Sequence, residues 1–534
     1  MAHFFSLKTT KGRWLNAQNV LLFAILLMAA FLRLYKISDY MTFLGDEGRD
    51  VLVVYNILHG KLTLLGPTSS VGGFFLGPIY YYFMAPFLWI FQYDPVGPAV
   101  MVALFGVVTV WLVYTVGSEF FNKQTGFIAA FLYAIAPIII AYSRSSWNPN
   151  LMPFFSLLTM YTLYKAVRQK SMVLFLLCGI LFGIDMQLHY VELFLGVAIA
   201  IYILFANSIY LKNWKKMLLE TVTNYIVIFI GFLIGFSPFL AFELRHSFPN
   251  EKSILSFILS SGDTGGSNKF FEVTADIFFR LFGRLVTNYP PPEQIAAGMH
   301  ANAAIWYNLT LLLSVVSFGI FLFRFKQTLA KKDGAFLQML LLLVWFCVGI
   351  AIFGFYKKSI YDYYFEFMFP LPFLFVGFAI ASVYANVSPK AKTAGRLIAG
   401  IILLSLVWVN LQGIPFRSLP NKQKAQVKEI ADFVLSKTDN KPYNFALITG
   451  GNSDHAYRYF FKLNERDPVV IEYTGADPER KTVQEQLLVV CESLPCEPLG
   501  HPVWEIAGFG RAEIAGEWKV SVVKVYKLIH YKGK

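Results

Sequence analysis

Four ionisable side chains stand within five positions of one short stretch, namely Asp46, Glu47, Arg49 and Asp50. The stretch follows the first long apolar segment, where an uncompensated charge beside hydrocarbon is costly. A carboxylate at such a boundary can deprotonate a hydroxyl or an amine, or hold a divalent cation, provided that a neighbouring cation favours its charged form. Arg49 is such a neighbour, and Gly45 and Gly48 allow other backbone to approach closely. We predict a reactive centre here; the alternative is an acidic loop in contact with water.

The rest of the chain has the composition of a membrane protein. Of 534 residues, 56% are hydrophobic and 17% are aromatic, and the mean hydropathy is +0.53. Only 15% are charged, below the quarter or so that is typical of globular domains. The net charge of +13 comes from basic residues that lie between apolar runs and form no single patch. The composition therefore indicates a polytopic membrane protein with membrane lipids as neighbours and no nucleic-acid partner.

Eleven apolar segments are predicted to cross the membrane: 20–36, 96–118, 124–143, 150–168, 171–190, 191–211, 222–243, 303–325, 335–355, 363–385 and 396–414. A twelfth run, 74–93, is interrupted by Gly77-Pro78 and Pro86, and we predict that it does not cross. With that assignment, 17 basic residues of the N-terminal tail and of later loops fall on the cytoplasmic side, against three acidic ones. If 74–93 crossed, the later loops would change sides and the positive-inside rule would fail at nearly all of them.

The predicted fold class is an all-α polytopic membrane protein with a small soluble α/β domain at its C-terminus. Residues 1–414 form the membrane module. Its first external loop, 37–93, is predicted to hold interfacial or re-entrant helices. Its large external loop, 244–300, serves either as a lid or as a plain connector. Because Lys8, Lys11 and Arg13 precede the first segment, the N-terminus is placed in the cytoplasm and the C-terminal domain outside the cell membrane.

The tail, residues 415–534, has an ordinary soluble composition. Its periodicity predicts helices and strands over the following ranges: helices at 421–437 and 482–491, and strands at 444–449, 468–473 and 517–528. Cys491 and Cys496 lie close together in this tail, which suits a disulfide if the tail is exported.

Three further polar clusters are predicted on the same external face. Arg144 lies between two helices among serines and asparagines, where its guanidinium suits a phosphate or anchors the headgroup region. His189, with Tyr190 beside it, either binds sugar hydroxyls or phosphate oxygens or is a packing residue. Lys357 and Lys358 need an anionic partner, either lipid headgroups or a substrate phosphate. Carboxylates, cations and aromatic rings at one membrane face suit the transfer of a group from a lipid phosphate.

The layout around Asp46 resembles a known group of enzymes. The first helix ends in Phe31-Leu32-Arg33-Leu34-Tyr35, and Phe43-Leu44-Gly45-Asp46-Glu47, a further helix, Gly60 and a proline- and aromatic-rich stretch follow. This order resembles the GT-C membrane glycosyltransferases, in particular the protein O-mannosyltransferases and the lipid A aminoarabinose transferases. Where these families often have His-Pro-Pro or Lys-Pro-Pro, this chain has Leu76-Gly77-Pro78-Ile79-Tyr80 and no basic residue. It also has no Trp-Trp-Asp triplet, which argues against an oligosaccharyltransferase acting on asparagine.

The resemblance implies a glycosyltransferase that moves a hexosyl or pentosyl group from a polyprenyl-phosphate donor, usually with inversion, to a lipid, glycan or protein acceptor. It implies that Asp46 is the base, that Glu47 is a supporting acid and that Arg144 contacts the donor phosphate. The other residues predicted to bind donor phosphate or substrate are Arg49, His189, Tyr190, Lys357 and Lys358. A divalent cation, Mg²⁺ or Mn²⁺, at Asp46 and Glu47 stays open, because two adjacent carboxylates do not specify a metal site.

Two other functions are compatible with parts of the sequence. A polysaccharide polymerase or ligase that uses polyprenyl-pyrophosphate glycans would share the many helices and the large external loop. A transporter or lipid flippase would need ionisable groups or broken helices near the membrane midplane, and the predicted helix interiors contain essentially no ionisable residues.

Overall fold

The structure is a computed structural model that describes residues 16–69, 73–211, 213–260, 269–331, 335–385 and 392–533. Its first helices are α1 (Ala17–Leu34), α2 (Ile37–Tyr40), α3 (Gly45–Leu58) and α4 (Ile79–Ile90). Helix α4 has 12 residues and a length of about 18 Å, short of the roughly 30 Å of a hydrocarbon core. Its length agrees with the prediction that 74–93 does not cross. The predicted cytoplasmic residues Lys8, Lys11 and Arg13 lie outside the described residues.

Eight helices follow in the chain: α5 (Val96–Phe120), α6 (Lys123–Ile135), α7 (Pro137–Tyr142), α8 (Met152–Gln169), α9 (Met172–Leu188), α10 (Leu193–Tyr210), α11 (Trp214–Gly235) and α12 (Ser237–His246). Helices α9 and α11 pack against each other through glycines. Gly179 and Gly183 on α9 lie against the backbone of α11, and Gly231 and Gly235 on α11 lie against that of α9. Small residues four positions apart allow this close approach, which is how helices associate in lipid.

The predicted external loop 244–300 is largely helical where it is described. It contains the end of α12 and three more helices, α13 (Pro249–Ser260), α14 (Phe270–Gly283) and α15 (Pro292–Ala296). The glycine-rich centre predicted at 262–267 lies outside the described residues.

The membrane part ends with four helices: α16 (Ala303–Lys331), α17 (Phe336–Phe353), α18 (Pro370–Ala385) and α19 (Lys392–Gln412). Within the described ranges, seven helices are long and apolar enough to cross a membrane, or eight if the bent pair Asp362–Met368 and Pro370–Ala385 is one span. The protein is therefore an integral, multi-pass membrane protein. Every one of the eleven predicted segments is helical, but the number of crossings stays a prediction.

Helix breaks, helix length and polar residues account for the difference in number. The segment 124–143 is divided at Ala136, because Pro137 begins a new helix and α6 has only 13 residues. The segment 150–168 begins within a 3₁₀ turn, Asn148–Leu151, and the helix that follows, α8, has 18 residues but is less apolar because it contains Lys165, Arg168 and other polar side chains. Helix α9 has 17 residues. None of these is as long and uniform as the apolar runs of the sequence suggest.

The C-terminal part is a small α/β unit made of α20 (Gln423–Ser436), β1 (Asn444–Ile448), α21 (His455–Leu463), β2 (Gln486–Cys491), α22 (Trp504–Phe509), β3 (Ala512–Val520) and β4 (Val523–His530). The sheet order is β1-β2-β4-β3. Strands β1 and β2 are parallel, and β4 is antiparallel to both β2 and β3. Cys491 and Cys496 form a disulfide at the end of β2.

Two of the five elements predicted in the tail are wrong. Residues 482–491 were expected to be helical, but 486–491 form strand β2, whose six side chains are all buried. A strand was expected at 468–473, and these residues form an extended connection outside the sheet. The helix at 421–437, the strand at 444–449 and the strand region at 517–528 are confirmed as α20, β1 and the hairpin of β3 and β4.

The C-terminal unit contacts the first loop directly. The Lys424 ammonium lies 2.8 Å from each carboxylate oxygen of Asp94. The Tyr459 hydroxyl donates to the carbonyl of Tyr93 at 2.6 Å, and α21 packs along α3. The first loop and the C-terminal unit therefore lie on the same side of the membrane part.

Candidate active site

Helix α3 carries the four ionisable side chains Asp46, Glu47, Arg49 and Asp50. The backbone N–H of Leu44, which precedes the helix, donates to Glu47 Oε2 at 3.0 Å. The N–H of Gly45, the first helical residue, donates to Asn452 Oδ1 at 2.9 Å. Both donors are among those that a helix start leaves without intrahelical partners. Asp46 and Glu47 lie in the first turn, where the helix dipole favours negative charge.

The four side chains of this stretch differ in exposure. The Asp46 carboxylate is 55% exposed, whereas the Asp50 side chain is fully buried. Arg49 bridges them, with Nη1 2.8 Å from Asp46 Oδ1 and Nη2 2.8 Å from Asp50 Oδ1. The hydroxyl of Tyr81 also donates to Asp50 Oδ1, at 3.2 Å. Asp46 is thus the carboxylate that reaches solvent, with a cation in direct contact.

Burial changes the acidity of the other two carboxyl groups. It raises the pKa of Glu47 to about 7, although the hydrogen bond from the Leu44 N–H acts in the opposite direction. It raises the pKa of Asp50 to about 6, and the charge of Arg49 partly offsets this effect. Below pH 7, Glu47 therefore carries a proton for much of the time and adds little negative charge beside Asp46.

Asp46 lines a cleft, here called the Asp46 cleft, with a volume of 540 Å³. Three segments form its walls: the start of α3, the end of α7 with the loop after it, and a loop of the C-terminal unit. Its lining residues are Thr42, Leu44, Gly45, Asp46, Glu47, Ala141, Tyr142, Ser145, Trp147, Asn150, Gly451, Asn452 and Ser453. The cleft therefore lies between the membrane part and the C-terminal unit.

Asn452 joins the C-terminal unit to the base of the cleft. Its Oδ1 accepts from the N–H groups of Gly45 and Ser453, both at 2.9 Å. Its amide nitrogen lies 3.0 and 3.2 Å from the two carboxylate oxygens of Glu492. Glu492 also accepts from the hydroxyls of Thr449 and Tyr457, each at 2.8 Å. The start of α3 is thus fixed by a hydrogen-bonded network of the C-terminal unit.

Gly48 provides a second contact between the two parts. A Cβ atom at this position would collide with the backbone of Ala456 on α21. Helix α21 therefore packs directly on α3 at Gly48, and only glycine permits the approach.

Arg144 is placed differently from the sequence prediction. Its guanidinium donates to the carbonyls of Leu32, Arg33 and Tyr35 at 2.9, 3.1 and 2.7 Å, and it lies over the ring of Phe416. The side chain is 1% exposed and does not line the Asp46 cleft. Its position indicates a structural role, in which it holds the end of α1 to the loop after α7.

The other predicted site residues lie near the cleft but not in its lining. The rings of Trp147 and Tyr363 have centroids 4.6 Å apart, and Tyr363 in turn lies 6.0 Å from His189. His189 is buried, and its ring centroid lies 4.3 Å from that of Tyr190 at an interplanar angle of 30°. A chain of aromatic contacts therefore links the Asp46 cleft to these residues.

Lys357 and Lys358 lie in the segment that leads to this aromatic cluster. Both side chains are exposed. Arg280 binds the end of the segment, donating to the Ile360 carbonyl at 2.8 Å and to Asp362 Oδ1 at 2.5 Å. Arg284 binds Asp362 Oδ2 at 2.8 Å. Arg280 also pairs with the exposed carboxylate of Asp276, with 3.4 Å between Nη1 and Oδ2, so the two guanidinium groups of this cluster meet two carboxylates.

Arg284 also lines a second cavity, of 1020 Å³. Ala141 of α7 lines both this cavity and the Asp46 cleft, so the two spaces are neighbours. The second cavity combines polar side chains such as Asn288 and His300 with the apolar side chains Ile305, Trp306, Leu309 and Trp408. The second cavity therefore contains the Arg284 guanidinium and, separately, an apolar wall.

Some ionisable groups predicted at external helix ends are buried in the membrane part instead. Asp185, Glu192 and Glu366 are all fully buried, and the Thr159 hydroxyl donates to Asp185 at 2.6 Å. The prediction that helix interiors contain essentially no ionisable residues is wrong in this respect, because helix packing covers residues that the sequence places near segment ends. The described residues include no group of three or more His, Cys, Asp or Glu side chains that could hold a metal ion.

Sequence reasoning missed Asn452, Ser453 and the lining role of Arg284. A signal for the first two was present, because Gly450-Gly451-Asn452-Ser453 directly follows the predicted strand 444–449. Glycine-rich polar turns after a strand often carry functional groups. For Arg284 the sequence offers no comparable signal, since its position depends on how α14 packs.

Comparison with known proteins gives one family-model match, to the dolichyl-phosphate-mannose-protein mannosyltransferase family, over residues 76–242. A putative mannosyltransferase of Bacillus subtilis, YkcB, is 30% identical over 108 residues, which are 20% of this chain and 15% of that protein. The aligned stretch thus spans a small part of the relative's length.

Two solved structures have a similar fold. ArnT from Cupriavidus metallidurans, bound to undecaprenyl phosphate, matches with a TM-score of 0.59 and 12% identity, over 95% of this chain and 97% of that chain. The oligosaccharyltransferase AglB from Archaeoglobus fulgidus, in complex with an inhibitory peptide and a dolichol-phosphate, matches with a TM-score of 0.52 and 14% identity, over 89% of this chain and 69% of that chain. The chain has the GT-C glycosyltransferase fold, which confirms the resemblance stated from the sequence.

Proposed function

We propose that the protein is a membrane glycosyltransferase that moves a sugar from a polyprenyl-phosphate donor to an acceptor hydroxyl, with Asp46 as the base. The observation that carries the proposal is the position of Asp46. Its carboxylate is exposed, is paired with Arg49 and faces a cleft beside a second cavity with a cation and apolar walls. The GT-C fold and the polyprenyl-type phosphates named for the two neighbours support the assignment.

The reaction is a single displacement. The acceptor oxygen attacks the anomeric carbon while its proton passes to the Asp46 carboxylate. The bond between that carbon and the phosphate oxygen breaks, and its electron pair leaves with the polyprenyl phosphate. Attack from the face opposite the leaving group inverts the configuration. Arg49 holds the Asp46 carboxylate in place, and Glu47, largely protonated below pH 7, is the supporting acid beside it.

We assign the donor to the second cavity. The phosphate is placed at Arg284, because this guanidinium, held by Asp362, lines the cavity. Charge developing on the departing phosphate would be stabilised by such a preorganised cation. The isoprenoid chain is placed along Ile305, Leu309 and Trp408, whose side chains are each more than 60% exposed. Exposed apolar groups of this kind are expected where a protein faces lipid.

We place the reaction at the external face of the cell membrane, with the N-terminus in the cytoplasm. Two observations support this orientation besides the charge distribution of the sequence. The C-terminal unit contacts the first loop, so both belong to one side. The disulfide between Cys491 and Cys496 suits an oxidising compartment.

The test is transfer of labelled hexose from a synthetic polyprenyl-phosphate donor by the purified protein, with a native membrane extract as acceptor. We expect Asp46→Asn to lower kcat at least ~100-fold without changing the thermal unfolding temperature. Arg284→Gln should raise the donor KM about tenfold or more, because a charge-assisted contact is lost. The exposed residues Asp432 and Arg245 provide matched controls as Asp432→Asn and Arg245→Gln.

Two results would contradict the proposal. Wild-type transfer by Asp46→Asn would remove Asp46 as the base. Transfer from a polyprenyl-pyrophosphate oligosaccharide, with none from the monophosphate donor, would instead favour a polymerase or ligase.

A further inference from the structure

We infer that the acceptor is an uncharged saccharide whose hydroxyl group enters the Asp46 cleft. This inference rests on the proposed function, and it names the class of molecule that receives the sugar. It follows from the charge, the hydrogen-bonding groups, the aromatic surface and the size of the cleft.

The charge of the lining excludes an anionic acceptor. Asp46 and Glu47 are the only acidic or basic side chains among the thirteen lining residues, all of which belong to the described part of the chain. Arg49, the nearest cation, is already bound to Asp46 and Asp50. A phosphate or carboxylate brought into this cleft would lose water and meet like charge, which disfavours its charged form. A neutral hydroxyl compound meets neither penalty.

The lining is rich in uncharged hydrogen-bonding groups. Thr42, Ser145 and Ser453 carry hydroxyls, and Asn150 carries an amide. The Asn150 nitrogen donates to the carbonyls of Tyr142 and Ser145 at 2.7 and 2.9 Å. Its Oδ1 atom is buried and has no protein partner. The hydroxyls of Thr42, Ser145 and Ser453 can exchange hydrogen bonds with the hydroxyls of a saccharide.

An aromatic surface stands beside these polar groups. The indole of Trp147 is partly exposed in the cleft and meets Tyr363 at an interplanar angle of 62°. Sugar rings present apolar C–H faces between their hydroxyls, so an indole next to hydroxyls and amides matches both kinds of surface. The cleft volume of 540 Å³ lies within the range of about 300–1,000 Å³ usual for small-ligand pockets.

The walls of the cleft do not match the common ways of binding an extended peptide. Peptides are bound by addition to a free sheet edge or as a helix in an apolar groove. The described lining consists of the start of α3, the end of α7 and loops, contains no strand and is mainly polar in its C-terminal wall. A saccharide acceptor therefore fits the cleft better than a serine- or threonine-containing peptide.

The test identifies the bond formed in membranes of the native host, so that no acceptor has to be chosen beforehand. Labelled hexose is supplied on a polyprenyl phosphate, and the Asp46-dependent product is analysed for its linkage. A glycosidic bond between two sugars, found by methylation analysis, supports the inference. Release of the label by alkaline β-elimination from serine or threonine would overturn it, and so would release by mild acid from a phosphate. Both outcomes leave the proposed transferase activity intact, whereas the absence of any Asp46-dependent loss of hexose from the donor would refute that activity itself.

A variant of the aromatic wall provides a second measurement. Trp147→Ala should raise the KM for the saccharide acceptor about tenfold, the scale of one aromatic contact, and Trp147→Phe should recover most of this loss. Because Trp147 belongs to the acceptor side, the donor KM should stay within about twofold. The exposed Trp214 provides the matched control as Trp214→Ala. An unchanged acceptor KM in Trp147→Ala would overturn the inference.

Discussion

The contact between Asn452 and Gly45 makes a prediction about a residue far from Asp46 in the sequence. Asn452→Ala removes the Oδ1 atom that accepts from the N–H at the start of α3, and it removes the amide that donates to Glu492. The helix that carries Asp46 then loses its fixed start, and Glu492 loses one of its partners. We expect transfer to fall although Asn452 makes no contact with the reacting atoms in the proposed mechanism.

The size of the effect follows from these bonds. Loss of a side chain that caps a helix start costs about 1 kcal/mol, and a buried group left without a partner costs about 1–3 kcal/mol. We expect a stability loss of about 2 kcal/mol, confined to the contact between the C-terminal unit and α3. The loss in kcat should approach 100-fold, the effect of moving a catalytic group by about 1 Å. The donor KM should change little, since Arg284 lies in the other cavity.

An exchange of the two side chains separates this effect from general damage. Asn452→Asp alone places a carboxylate 3.0 Å from that of Glu492 and should lower kcat more than Asn452→Ala does. In the double variant Asn452→Asp/Glu492→Gln, the aspartate still accepts from the Gly45 N–H, and the glutamine now supplies the donor. The double variant should recover kcat to within about tenfold of the wild type, a coupling within the range of about 0.5–3 kcal/mol seen for residues in contact.

The assay is steady-state transfer from the polyprenyl-phosphate donor, measured beside hydrogen exchange of the backbone at the start of α3. Faster exchange at Gly45 in Asn452→Ala, together with the lower kcat, is the expected result. Wild-type kcat in Asn452→Ala would refute the reasoning. Strictly additive effects in the double variant would refute it as well, because they would mean that the two side chains act independently.

Two further predictions concern α3. Burial raises the pKa of Glu47 to about 7, so the folded state favours the protonated carboxyl group. The contribution of this group to the free energy of unfolding is fully present below the pKa of the unfolded chain, about 4.5, and is lost as the pH rises through 7. In the wild type, the free energy of unfolding should fall by about 3 kcal/mol between about pH 4.5 and 7 because of Glu47, and Glu47→Gln should remove this fall. The measurement is thermal unfolding in detergent at several pH values, and an unchanged pH dependence in the variant would contradict the assignment. Gly48→Ala should separate α3 from α21, at a cost of about 1–3 kcal/mol, and lower transfer more than tenfold. Gly319→Ala on α16, where a Cβ meets no atom within 4 Å, is its control; equal effects of the two substitutions would contradict the packing argument.

The features that were predictable from the sequence are those that depend on local composition, above all the long apolar helices that a membrane requires. A bilayer requires long apolar helices, so runs such as 96–118 and 396–414 predict α5 and α19 directly. Charge alternation predicted that 74–93 does not cross, and the 12-residue length of α4 agrees with this prediction. Strand β2 was mistaken for a helix, because its residues Leu487–Cys491 are all apolar and lack the alternation that distinguishes a half-buried strand.

The features that were not predictable depend on contacts between distant parts of the chain. Gly45 and Asn452 are 407 positions apart, and no local pattern indicates that they meet. Arg144 was selected by residue type and by its place near a helix end, but its role depends on the direction in which the guanidinium points. It points to the carbonyls at the end of α1. Residue type therefore predicts which chemistry is available, and only packing decides where it is used.

Helix α3 illustrates why the base needs both parts of the protein. Asp46 and Asp50 are four positions apart and thus on one face of the helix, yet Asp50 is buried against Tyr81 of α4 whereas Asp46 is exposed. The membrane part therefore holds the middle of the helix through Asp50 and Arg49. The C-terminal unit holds its start through Asn452 and its side through the contact at Gly48. A short helix in the first loop has little stability of its own, so the position of Asp46 depends on both attachments at once. Removing the C-terminal unit should consequently abolish transfer even though the second cavity, which we assign to the donor, is lined by residues that precede α20.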